Sequence, residues 1–307
     1  MKILSRPKGN AEEYGRWSVN PYIGCSHGCL YCYLKKGPSG AYLGQDKPVL
    51  KKGVVNEEHA IHLAMAEIIE HREEIVKDGG LFMTFTSDPC AKETGGLFVQ
   101  IGNQAIRYGI SVTLLTKRTE FLRLWVSALR DEVVKTSIGK PNDYEYIDDN
   151  FRNLAVGYTL TGHDELEPNA PTNAQRIDDM ALISHYKGGS LFHIWASIEP
   201  VIDFPSSLNM ILQALDAGCQ HFKIGLLTNN TRVVRKDFSF GEYQFKAYDR
   251  DACVTFIHDV MRATKGNSTV YWKQSFRDFL GEEDFVRATI GYKNIVGKDW
   301  SMFNKED

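Results

Sequence analysis

Three cysteines, Cys25, Cys29 and Cys32, fall within eight residues in the segment NPYIGCSHGCLYCY (20–33). A C-x3-C-x2-C spacing lets one short loop present three thiolates to a metal–sulfur cube, whose irons sit at separate corners. Three thiolates serve three irons and leave the fourth open to another ligand, as a catalytic metal site keeps one position free. Gly24 and Gly28 allow turns that other residues resist. Two alternatives stand beside this reading. Zinc could take the three thiolates and His27, although structural zinc sites usually pair ligands as C-x2-C and complete four. An inert buried trio is the other, although structural cysteines do not usually cluster this way. The remaining cysteines, Cys90, Cys219 and Cys253, are scattered.

The elements that must position this loop read as alternating strands and helices, the pattern of βα units around a parallel sheet. Strands are predicted at 18–24, 81–87, 110–116, 154–160, 191–200 and 221–227, with a further one at 268–273. A helix starts at the N-cap Asn56 and runs through Ile69, and Gly79 and Gly80 end it. Further helices are predicted through Leu97 to Ile106, Phe121 to Leu129, Ala174 to Tyr186, Leu208 to Asp216 and Ala252 to Arg262. Segment 137–150 reads as a polar loop. The fold class is α/β: a partial (β/α)6 TIM-like barrel over 18–265, preceded by an arm (1–17) and followed by a C-terminal extension (266–307). Residues 228–250 read as a long loop or insertion, of the kind that is often functional. Residues at the C-terminal ends of the strands are the expected site.

Composition narrows the class. The chain has 307 residues, 43% hydrophobic and 24% charged, with a net charge of −3. No global field draws it to nucleic acid or an anionic membrane. No apolar run approaches the roughly 20 residues of a membrane span, and the N-terminus has no apolar stretch of the signal-peptide type. The expected location is the cytoplasm, where six cysteines remain reduced and clustered ones bind metal.

The C-x3-C-x2-C loop resembles the signature of the radical S-adenosylmethionine superfamily. The wider chain, over most of residues 18–227, resembles its spore photoproduct lyase-like branch. That resemblance implies a [4Fe–4S] cluster on Cys25, Cys29 and Cys32, whose open iron is chelated by the amino and carboxylate groups of S-adenosylmethionine. An electron from the cluster, delivered by a reductant such as flavodoxin or ferredoxin, then yields a 5′-deoxyadenosyl radical that abstracts hydrogen from a substrate. It further implies Tyr31 near the adenine, Ser87 of TSD (86–88) on the amino group, and Lys117 and Thr159 on the carboxylate. Independently, Ser87, Lys117 and Thr159 all fall at the ends of predicted parallel strands, which converge on one face of a barrel. Taken singly, each has a plainer role: Ser and Thr there cap helices, and Lys is solvated.

Other features extend or break the resemblance. EPNAP followed by Arg176, and SIEPVID (197–203), are further echoes. SIEP and WKQ (272–274) are also similar to a group of phage-encoded radical proteins. Glu199, at the end of the fifth predicted strand, should face the barrel mouth, to touch cofactor or substrate or to pair with a neighbouring Arg or Lys. The lyase has a hydrogen-donating cysteine two positions before the TSD serine, where this chain has Phe85, which cannot donate hydrogen in that way. Cys90 is the candidate catalytic replacement; its plainer role is a small buried hydrophobe.

Lys35, Lys36, Lys47, Lys51 and Lys52, together with the cations of 228–250, form two basic stretches. With Trp17, Tyr31, Tyr33 and Tyr42 they could hold a nucleic-acid strand through phosphate contacts and stacking. Three functions stay open: a radical enzyme on nucleic acid, a radical enzyme on a peptide or small metabolite, and a metal-stabilised binding module without turnover. No second cysteine cluster is visible.

Overall fold

A computed structural model describes residues 2–118, 153–184, 193–229, 232–266 and 268–297. Its centre is an eight-stranded sheet: β1 (Leu4–Ser5), β2 (Ser18–Val19), β3 (Leu81–Met83), β4 (Val112–Thr116), β5 (Leu154–Thr159), β6 (His193–Val201), β7 (His221–Leu226) and β8 (Thr269–Trp272). The strands lie side by side in chain order. β1 is antiparallel to β2, and all later neighbours are parallel. Parallel neighbours need crossovers, and helices supply them. The main helices are α1 (Glu57–Glu70), α2 (Gly95–Arg107), α3 (Asn173–Ser184), α4 (Phe204–Asp216) and α5 (Arg250–Ala263), with α6 (Gln274–Leu280) and α7 (Glu282–Thr289) after β8. Asn56, Asp203 and Asp249 cap α1, α4 and α5 through side-chain oxygens that accept from backbone N–H groups, satisfying donors a helix start leaves orphaned.

The two sheet faces differ in chemistry. Met83, Leu114, Val156, Tyr158, Ile198, Ile224 and Trp272 join the main core with α1 residues Ala64 and Ile68 and α2 residues Leu97 and Ile101. Strand alternation sends the intervening residues to the other face, and register aligns Phe82, Thr113, Ala155 and His193 across it. That second face curls around Tyr14. Its ring lies 5.7 Å from Phe82 of β3 and 6.1 Å from Trp195 of β6, with Lys273 Nζ, just beyond β8, 4.5 Å away. In a flat sheet β3 and β8 would stand about 24 Å apart, five strand spacings.

Several expectations shift. The predicted strand 18–24 divides: Ser18–Val19 stays in the sheet, while Tyr22–Ile23 pairs with Val49–Leu50. The predicted strand 81–87 stops at Met83, because Thr84 adopts a left-handed backbone (φ 54°). For a β-branched residue that conformation costs about 1–3 kcal/mol. Asn20 offsets it by accepting from Thr84 Oγ1 and, at 2.7 Å, from the Phe85 N–H. The helix from Asn56 breaks at His71 into α1 and a short second helix, Arg72–Lys77. Residues 228–250 hold two small hairpins, Thr228–Asn229 with Arg232–Val233 and Phe238–Phe240 with Tyr243–Phe245. The arm contributes β1, and the segment assigned to a C-terminal extension contributes β8. The helix expected at Phe121 to Leu129 and the loop 137–150 lie outside the described residues. Among those described, no helix is long and apolar enough to cross a membrane.

Candidate metal–sulfur and cofactor site

The thiol loop leaves the sheet at β2 and is clamped from two sides. Gly24 turns at φ 87°, where a Cβ would meet the Lys47 carbonyl at 2.5 Å, and the Cys25 N–H donates to the Gln45 carbonyl. Gly28 turns at φ 70°, with the Asn169 N–H on the His27 carbonyl and the Leu30 N–H on the Leu166 carbonyl. Both glycines therefore do what their positions required. All three thiols are free; Cys29 is buried and Cys25 and Cys32 are half-buried. They are electrostatic neighbours, Cys25 of Cys29 and Cys29 of Cys32. Burial, with the Asp88 charge adding to it, pushes the Cys25 thiol up to about 12. Burial also raises Cys29, against the pull of Lys117. Thiols in this state give up protons only to a strong local cation. Among the described residues no group of three or more His, Cys, Asp or Glu is arranged to hold a single metal ion.

His27 and Asp88 tie the loop to the strand ends. His27 Nδ1 lies 3.2 Å from Cys25 Sγ and 3.6 Å from Asp88 Oδ2, while its Nε2 accepts from Arg118 Nε at 3.0 Å. Burial lowers His27 to about 4, so the ring is neutral near pH 7. With Nε2 accepting, the ring proton sits on Nδ1, facing the Cys25 sulfur. Asp88 accepts from the N–H groups of Cys90 and Lys117 and from Thr116 Oγ1 at 2.7 Å.

Of the residues assigned to the cofactor, Tyr31, Lys117 and the backbone carbonyl of Thr159 are linked through Glu167 and Arg176. Among the described residues the Ser87 hydroxyl oxygen is buried with no hydrogen-bond partner, a costly condition unless a ligand answers it. Lys117 Nζ lies 5.6 Å from the centroid of the Tyr31 ring and 3.8 Å from Glu167 Oε1. The Tyr31 hydroxyl donates to the same Glu167 oxygen. Arg176, fully buried, grips the other Glu167 oxygen and donates to the carbonyls of Thr159 (2.8 Å) and Pro171 (2.9 Å). Burial alone would raise the Glu167 carboxyl, but Lys117 and Arg176 outweigh it and hold it below the usual carboxylate range. Lys117 is raised because Cys29 and Glu167 outweigh its burial. Glu167, Asp88 and His27 carry this geometry, and no sequence reading gave them these roles. The available signals were the acid in TSD and the Glu and Arg that flank NAP.

Two assignments land elsewhere. Cys90 is 2% exposed and packs in the main core, beside Thr116 and Asp179. Asp179 takes the Tyr158 hydroxyl on the helix-covered face. The Asp88 turn thus sends the Cys90 thiol into the core rather than toward the cluster loop, and burial raises it well above its ordinary value. Glu199 meets the plainer expectation of an ion pair. It binds Lys273 Nζ at 2.7 Å and accepts from the Tyr14 hydroxyl. Lys273 also lies 3.5 Å from Glu13, which accepts from the Tyr271 hydroxyl.

The insertion forms a wall of the site. Phe240 and Phe245 pack in one cluster with Cys29, Tyr31, Leu166 and Leu227, and Cys32 and Phe238 pack against it. Part of the expected basic surface is internally paired: Lys35 with Asp46, Lys246 with Asp237, Arg250 with Asp284. Searches against family models, curated proteins and solved structures find no match to this chain.

Proposed function

We propose that the chain is a radical S-adenosylmethionine enzyme, and that its curled sheet is the partial (β/α)6 barrel of such enzymes. The observation that carries this is one preformed loop bearing three thiols, opposed by Lys117, whose charge pulls the Cys29 thiol down against its burial. The donor set fits the group. Cys25, Cys29 and Cys32 would hold three irons of a [4Fe–4S] cluster, and the unanswered Ser87 hydroxyl and Lys117 would take the amino and carboxylate groups of S-adenosylmethionine. Bound together, these groups would supply a 5′-deoxyadenosyl radical that takes a hydrogen atom from substrate.

The chain's own residues position and exclude. Glu167 and Arg176 hold Tyr31 and Lys117 in place, where the ring and the ammonium would receive the cofactor. The carbonyl of Thr159 is committed to Arg176, which places its side chain at the same strand end. The neutral His27 Nδ1–H steadies the Cys25 sulfur. Phe240 and Phe245 keep water from the Cys29 side. Zinc on the same thiols would need a fourth ligand. His27 offers only Nδ1, which faces Asp88 as well as Cys25, because Arg118 occupies Nε2.

A flavodoxin- or ferredoxin-type donor would supply the electron. A nucleic-acid substrate is the reading closest to the resemblance, and salt-sensitive binding of DNA or RNA separates it from a small-molecule one. The test of the function is anaerobic turnover with dithionite and S-adenosylmethionine. Formation of 5′-deoxyadenosine is expected. A protein that carries a metal but never releases 5′-deoxyadenosine would be a binding module instead.

A further inference from the structure

A cleft of about 620 Å³ separates the thiol loop from the hairpins of the insertion, with Leu30 and Lys36 on one wall and Lys236, Phe238 and Phe240 on the other. Its volume suits a metabolite-sized ligand. Leu30 and Lys36 bracket Cys32 in sequence, and Phe238 and Phe240 belong to the cluster that contacts Cys29 and Cys32. The cleft therefore opens beside the thiols.

Its charge is one-sided. Lys36 Nζ stands 5.7 Å from the Phe240 ring, half-buried, and burial pulls its ammonium below the ordinary value. Among the described residues no carboxylate pairs with Lys36 or Lys236. The one acid in the lining, Asp237, is turned to its own hairpin: Lys246 Nζ lies 3.0 Å from one oxygen and the Ala247 N–H 2.9 Å from the other. Two ammonium groups with no carboxylate partner among the described residues, half-buried Lys36 and exposed Lys236, thus line a space walled by Phe238 and Phe240, whose rings meet edge to face at 4.6 Å, and by Leu30, which is 45% exposed. An ammonium drawn out of water, as that of Lys36 is, favours an anion, and the open apolar surface of Leu30 and Phe238 favours a flat hydrophobic body.

We propose that this cleft binds a small organic anion with a flat apolar body, about the size of a mononucleotide, with Lys36 and Lys236 on its charge and Phe238, Phe240 and Leu30 around its body. Of the cations that would track the backbone of a long polyanion, Lys35, Lys246 and Arg250 are already in ion pairs. Calling the ligand a substrate rests on the radical-enzyme reading; the binding does not.

The test is titration calorimetry of the full chain with three probes, AMP, adenosine and inorganic phosphate, in the presence of saturating S-adenosylmethionine. AMP is expected to bind at least about tenfold tighter than either fragment, since charge and body contribute together. Lys36→Gln and Lys236→Gln should each weaken AMP by about tenfold or more. Lys246→Gln, outside the cleft, should weaken it by about threefold by releasing the Asp237 charge. AMP binding that survives the double Lys36→Gln, Lys236→Gln substitution overturns the proposal. So does no AMP binding at millimolar concentration, or tight binding only of an oligonucleotide with a salt dependence of several charges. Running the titration with and without iron separates the two readings. A chain that binds AMP through Lys36 yet never cleaves S-adenosylmethionine leaves the cleft standing and removes the radical enzyme. One that cleaves the cofactor but does not bind AMP through Lys36 does the reverse.

Discussion

Two polar regions share the inner face of the sheet, and they are finished to different degrees. Below, Tyr14 and Glu13 of the arm meet Ser197, Glu199, Lys223, Tyr271 and Lys273. Every charge there is answered within the chain: Lys273 by Glu199 and Glu13, and Lys223 by the Glu13 carbonyl with Tyr14 and Tyr271 stacked against it. At the strand ends, Glu167 and Arg176 are equally complete, but the Cys25 and Cys29 thiols are raised, Cys32 is half-buried and free, and the Ser87 hydroxyl has no partner among the described residues. A closed network holds a sheet in shape, whereas an open one beside a rigid frame is the mark of a site awaiting a ligand. The contrast also explains Glu199. It sits at a strand end as expected, but its register places it over Lys273 and Tyr14, inside the closed network.

Substitutions can break or sharpen this contrast. The largest effect is expected at the open site: Cys25→Ala, Cys29→Ala and Cys32→Ala should each abolish iron retention, read as iron content and absorbance after anaerobic reconstitution, with melting temperature little changed. Next comes the closed network. Lys273→Met leaves Glu199 and Glu13 without their cation and should cost about 3 kcal/mol, read by denaturant unfolding. Cofactor affinity of the folded protein should stay within about twofold. Loss of affinity without loss of stability would move Lys273 into the site.

Ser87→Ala separates the regions more finely. A hydroxyl that serves only structure would be missed by the fold. An unanswered one should leave stability unchanged or raise it by about 1 kcal/mol, while S-adenosylmethionine affinity falls by about tenfold in equilibrium dialysis. The smallest effect concerns His163, which the insertion touches through Tyr243 at 5.1 Å. Burial works against its charge, but hydrogen bonds to Asp203 and Glu165 outweigh burial and raise it above its ordinary value. An unfolded histidine holds its proton less tightly, near 6.5. This stabilisation is therefore complete below about pH 6.5 and is lost as pH rises through the folded value. The stability gap between the wild type and His163→Gln should shrink as pH rises above about 6.5; a gap that widens there reverses the assignment.

The sequence carried the frame better than the joints. Periodic apolar runs at 110–116, 154–160, 191–200 and 221–227 became β4 to β7 within a few residues, because burial of one face dictates alternation. The thiol loop and its glycines were legible because their chemistry is local. Thr84 was not, since its left-handed turn depends on Asn20, 64 residues away. Glu167 and Asp88 were quoted only as parts of motifs, because their roles arise from contacts with Tyr31, Lys117, Arg176 and His27 that only the fold assembles. Cys90 read as reactive by its nearness to Ser87; the Asp88 turn that buries it is a three-dimensional fact.

The central claim is that three thiolates leave one iron of a [4Fe–4S] cluster open to S-adenosylmethionine. Electron paramagnetic resonance of the anaerobically reconstituted, dithionite-reduced protein tests it most directly. The account predicts a reduced-cluster signal that shifts when S-adenosylmethionine is added and that no longer shifts in Ser87→Ala, Lys117→Met protein at the same cofactor concentration. Reconstituted protein with no cluster signal, or with one indifferent to the added cofactor, contradicts it.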